Sequence, residues 1–164
     1  MPDLVPVEET IALEIVDRLD NITTANGFPF TADVVRPNRL GSDWTPAPNT
    51  IVVVAGDVER DEEHDCPGNP PALSYAVTFI IQGFVRQSDR EEASDQAKVW
   101  AMVASIKKAI GQVSQWHIFN AQNWDARWGA TTQFDPSQGA HSGASVELVL
   151  YYRVSENDPY TVRA

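Results

Sequence analysis

The chain has very little cysteine: Cys66 is the only one in 164 residues, so no intrachain disulfide can staple the fold. That usage suits a reducing compartment. Basic side chains are also scarce, with 12 Lys and Arg against 23 Asp and Glu, for a net charge of −11. Phosphate backbones are gripped by Lys and Arg, and here these are sparse and scattered, so specific nucleic-acid binding is not expected. The acid excess serves solubility first. No run approaches the roughly 18 apolar residues of a membrane-crossing helix, which removes the membrane from the expected partners. The opening Met1-Pro-Asp-Leu-Val-Pro6 has neither the basic stretch nor the apolar run of a secretory leader, so synthesis in the cytosol is expected.

Signatures of catalysis are missing as well. There is no GxGxxG or GxxxxGK[ST] loop to cradle phosphate, and no GxSxG turn to present a nucleophile. His64-Asp65-Cys66 is the nearest thing to a reactive cluster. One His and one Cys in an acidic stretch fall short of the three or four ligands that zinc takes, unless His117 and His141 converge on them. The carboxylates of Asp57 to Asp65 do not follow a calcium-loop spacing. So dense a run of like charge reads as solvated loop rather than a buried acid–base pair. No catalytic residue, metal ligand or cofactor is expected. The electrostatic role left to Asp61, Glu62 and Glu63 is contact with a basic patch on a partner.

What is present is a clear order of elements. Ile11, Ile15 and Leu19, widened by Ala12 and Val16, predict an amphipathic helix over Val7 to Asn21, with Pro6 in its first turn. Glu8 and Glu9 suit its positive end. Asn26-Gly27 breaks the chain, and 31–36 reads as a short strand. An irregular loop anchored by Trp44 occupies 37–49. Thr50 to Gly56 is apolar on both faces, as a central strand would be. Asp57 to Pro71 reads as a long exposed hairpin connection, acidic first and then turn-rich. Leu73 to Arg86 alternates as a strand with Leu73, Tyr75, Val77, Phe79, Ile81 and Val85 on its core face.

Ser88-Asp-Arg-Glu91 forms a capping box for a helix reaching Ile110, with Val99, Val103, Ile106 and Ile110 inward. Ala93, Ala97, Ala101 and Ala104 offer a smooth flank for close approach to a sheet, and Gly111 ends the helix. Residues 112–143 read as an elongated loop with one strand near 130–134. The last strand is the plainest: Val146, Leu148, Leu150, Tyr152 and Val154 face one side, and Glu147, Tyr151 and Arg153 the other. It runs into Asn157-Asp158-Pro159. The expectation is one α+β domain over 1–164, with extended loops at about 57–71 and 112–143.

Trp116, Trp124 and Trp128 lie close together among Asn, Gln and Asp. They are lids over the core or anchors in a subunit interface, where Trp is enriched. The length of their loop favours the interface.

Four segments carry a family resemblance: the helix Glu8 to Leu19, the strand Tyr75 to Arg86, the helix Glu91 to Ile110, and the strand Val146 to Val154 with Asp158-Pro159. In pattern and order the chain resembles the tail terminator family of long-tailed bacteriophages, also called tail completion or minor tail protein U-like. The resemblance implies a mixed or mainly antiparallel sheet, of about four or five strands, with two helices packed on one face. It also implies a hexameric ring that caps the tail tube, ends its polymerisation and offers a docking surface to the neck. The implied partners are further copies of the chain, the tube protein and a neck or connector protein. DNA would pass through the lumen without specific binding, and an acidic wall suits that passage. The implied location is the virion tail or neck, with assembly in the host cytoplasm. The family is not enzymatic, so site residues are interface expectations: Trp116, Trp124, Trp128, Asp61, Glu62 and Glu63. A neck adaptor of similar size is the nearest alternative. From other classes, a small enzyme would need His117 or His141 in a cleft beside an acid, and a ligand-binding module would use the three tryptophans.

Overall fold

The computed structural model describes residues 5–36, 46–85, 92–111, 123–134 and 142–162. The fold is α+β. Helix α1 spans Val7–Asp20 and α2 spans Glu92–Ile110. The strands are β1 (Asp33–Val35), β2 (Thr50–Arg60), β3 (Ala72–Val85), β4 (Asn123–Gln133), β5 (Ser142–Ser155) and β6 (Asp158–Val162). They form one six-stranded sheet in the order β1-β2-β3-β5-β4, with β6 joined to β5. Every pairing is antiparallel except β1 with β2. The expected mainly antiparallel sheet is therefore present, with more strands than the sequence announces.

Both helices cover the same face. Val7, Ile11, Ile15 and Leu19 of α1 join Val99, Met102, Val103, Ile106 and Ile110 of α2 in one buried cluster with Val77, Phe79 and Ile81 of β3 and Val146, Leu148 and Leu150 of β5. The predicted stripes thus do what their spacing requires. Gly83 lets α2 come close: a Cβ there would lie 2.4 Å from Met102 Cγ. The helices are also tied end to end, since Arg18 donates through Nη1 to the Ile110 carbonyl at 2.7 Å, satisfying an orphan acceptor of the last turn. Gly111 ends α2 at φ +85, where an L side chain would be strained.

Several expectations need correction. The acidic stretch is not all loop: Asp57 to Arg60 continue β2 as exposed strand, and Glu62–His64 form a single turn of 3₁₀ helix. The hairpin tip is shorter than predicted, closed by paired backbone hydrogen bonds between Cys66 and Ala72 at 2.9 and 3.0 Å. Charge alone misleads there, because an edge strand can carry charged side chains on solvated positions. Within 112–143 an eleven-residue strand, β4, takes in Trp124 and Trp128. After the turn at Glu156 and Asn157 a further strand, β6, includes Pro159 and pairs back on β5. On α2, Ala97 and Ala104 are exposed, and the sheet is met at Gly83 by Met102 and Ile106 instead. Leu73 and Tyr75 are only half-buried. The loop 37–45 with Trp44, the Ser88 capping box, Trp116, His117 and His141 lie outside the described residues.

One buried polar contact gives the fold a pH dependence. Tyr152 is 1% exposed and its hydroxyl donates to the Glu8 carboxylate, joining β5 to the first turn of α1. Burial first, then the hydrogen bond to Glu8 and its negative charge, push the phenol far above its ordinary range. The unfolded chain ionises this group near about pH 10, while the folded chain keeps it protonated. Stability from this contact is therefore complete below that pH and drains away as pH rises beyond it. In alkaline denaturation series, Tyr152→Phe is expected to flatten the fall in stability between about pH 10 and 11.5. An unchanged slope would show that Tyr152 ionises freely in the fold.

Candidate functional site: the open face and edges of the sheet

With both helices on one side, the other side of the sheet faces out. Pairing places Val52, Val54, Ala76, Thr78, Ile80, Val149 and Tyr151 on it, because their cross-strand partners alternate with those of the core. Val52 is fully buried at one end of this face, while Val54, Thr78, Ile80, Val149 and Tyr151 are half-buried. At the hairpin end this face sinks into a polar hollow of about 420 Å³ lined by Glu59, Asp61, His64, Asp125, Arg127 and Tyr151, among others.

The hollow is held in shape by the hairpin tip. Asp65 accepts the Ser74 backbone N–H through Oδ1 at 2.7 Å and pairs with Arg60 through Oδ2. His64 Nδ1 lies 3.0 Å from Asp61, and Arg153 Nε donates to the His64 carbonyl at 2.9 Å. The Arg127 guanidinium stands 5.4 Å from the centre of the Tyr151 ring. Among the described residues, no group of three or more His, Cys, Asp and Glu is gathered to hold a metal.

The interface residues expected from sequence do not form one patch. Asp61 lines the hollow and is half-buried, while Glu62 and Glu63 stand exposed on the tip. Trp128 points the other way: it packs against the core with Lys107 Nζ 5.7 Å from its ring. Trp124 lies on β4, with its side chain outside the described set, and Trp116 lies outside it altogether. Trp128 is thus a lid over the core, the other role open to it. A shared three-tryptophan platform loses one member.

Two features escape a reading by motif. Trp100 is 53% exposed on α2, between exposed Ala97 and Ala104. The signal was its phase, since it falls off the Val99–Val103–Ile106 stripe. The second is the pair of sheet edges. Asp57, Val58, Glu59 and Arg60 are exposed on β2, beyond the reach of the three-residue β1. Asp125, Arg127 and Gly129 to Gln133 are exposed on β4 at the far edge. Naked strand edges are templates for another chain.

In comparisons with known proteins, no protein-family model and no curated protein matches this chain.

Proposed function

We propose that this is a structural protein that assembles head to tail into a ring, and that the ring caps the tail tube of a long-tailed bacteriophage and joins it to the neck. The observation that carries the reading is a sheet whose helices cover one face and which, among the described residues, leaves the end of β2 beyond β1 and the β4 edge exposed. A subunit with two different exposed edges is suited to a heterologous interface, which yields a ring when the rotation closes. The order of helices and strands that resembles tail terminators adds to this. The mechanism is geometric: one ring face buries the growing end of the tube, and the opposite face offers no further polymerising surface. No bond is made or broken. The net charge of −11 suits a wall past which DNA slides, since like charge discourages sticking.

The test is an end-capping assay with a purified tail tube protein of a long-tailed bacteriophage. Added during polymerisation, the chain should stop growth and appear at one tube end by negative-stain microscopy. Binding to portal or connector rings, with tubes still growing, would transfer the reading to a neck adaptor. Binding to neither would refute it.

A further inference from the structure

The two exposed edges match each other in direction and height, and at one level in charge. Strand β2 runs antiparallel to β3, β3 to β5, and β5 to β4, so β2 and β4 point in opposite directions. A second copy rotated about an axis along the strands therefore brings its β2 alongside β4 in antiparallel fashion, the orientation with the better hydrogen bonds.

Height follows from the register. Val149 of β5 is paired with Thr78 on one side and with Arg127 on the other. On β2 the register shift falls between Ala55, opposite Phe79, and Val58, opposite Val77, so Gly56 and Asp57 together stand across from Thr78. Gly56 confirms the closeness, since a Cβ on it would meet the Thr78 carbonyl oxygen at 2.9 Å. Asp57 and Arg127 thus occupy one level at opposite edges of the sheet. Both are exposed, and neither has an ion-pair partner among the described residues.

We infer that Arg127 on the β4 edge of one copy pairs with Asp57 on the β2 edge of the next, so that the sheet continues from subunit to subunit. The inference rests on the ring reading and specifies its contact. Directly opposed residues in such a ladder stand about 5 Å apart, close enough for a long guanidinium and a carboxylate to meet. The same register sets Glu59 level with Asp125, through Ala76 and Tyr151. That like-charge pair opposes assembly, and Arg127, diagonal to Glu59, offsets it. An alternative role for the same charges is to guard the edges against pairing, as edge charges do in many sheets. The two roles predict opposite effects of neutralisation.

The test measures self-association of the full chain by sedimentation velocity. Asp57→Arg and Arg127→Asp should each weaken assembly at least tenfold in concentration, because each sets like charges face to face. The double reversal should recover most of it, and Asp125→Asn should tighten it. Melting temperatures should stay close to that of the unaltered chain, which separates assembly from folding. In a Cys66→Ser background, Asp57→Cys with Arg127→Cys should oxidise to a ladder of multimers. If rings form but the reversals change nothing and no ladder appears, the edge contact is wrong and the ring reading stands. If Asp57→Ala with Arg127→Ala assembles more tightly, the charges are guards and the inference is overturned. If the chain self-associates neither alone nor on tube ends, both fall.

Discussion

Replacing Phe79 by Ala is expected to cost about 3–5 kcal/mol of folding stability, the range for deleting a buried aromatic ring. Phe79 is fully buried in the middle of β3, flanked by Ala55 of β2 and Leu148 of β5, and belongs to the cluster both helices share. The sheet is paired on both sides of this position, so the hole left behind cannot collapse easily. For a domain whose total stability is on the order of 5–15 kcal/mol, that loss is a large fraction. Thermal unfolding followed by circular dichroism should show a fall of roughly 10 °C. A loss below about 1 kcal/mol would mean that the core is not centred on β3.

A comparable loss, about 3 kcal/mol or more, is expected from Gly143→Val, through overpacking rather than a void. Gly143 opens β5 beside Phe84 and Phe134, whose rings lie 5.3 Å apart. A Cβ at Gly143 would lie 2.2 Å from the Gly83 carbonyl oxygen and 2.9 Å from the Phe134 ring. The first neighbour is backbone in the middle of the sheet and cannot swing aside. Gly83 offers a useful contrast, because its nearest obstacle is the flexible Met102 side chain, and Gly83→Ala should cost less. Urea titration of the two variants reads the difference. Equal stability of Gly143→Val and the unaltered chain would place β5 in another register against β3.

Helices and inner strands were legible because burial imposes a period on them. Val146 to Val154 is apolar on alternate positions since β5 is paired on both sides and helix-covered on one. The α1 and α2 stripes follow from the same demand at helical spacing. The edge strands were not legible, and for one physical reason: they bury little. Among its described side chains β4 turns only Ala126 and Trp128 toward the core, and its register shift between Trp128 and Thr131 interrupts the alternation. β2 beyond Gly56 carries Asp57, Glu59 and Arg60 because one of its sides meets water, so it reads as an acidic loop. β6 is five residues with Pro159 near its start, too short to show a period. The candidate site inherits this blindness. Asp61 was found through its charge, but Arg127 lies in a polar, aromatic-rich stretch where nothing marks it. Only the ladder, which aligns it with Asp57 across four strands, gives it meaning. Trp128 stayed between lid and interface anchor because sequence cannot say which face a bulged strand turns to the helices, and the structure packs it against the core.

The central claim is that copies of this chain close into a ring, and sedimentation velocity combined with negative-stain imaging tests it most directly. The measurement is made across concentration and salt, alone and with the tube protein present. The account predicts closed rings of about six copies, as the family resemblance implies, weakening as salt screens the Asp57–Arg127 contact. A monomer at every concentration, with tubes that neither recruit the chain nor stop growing, would contradict it.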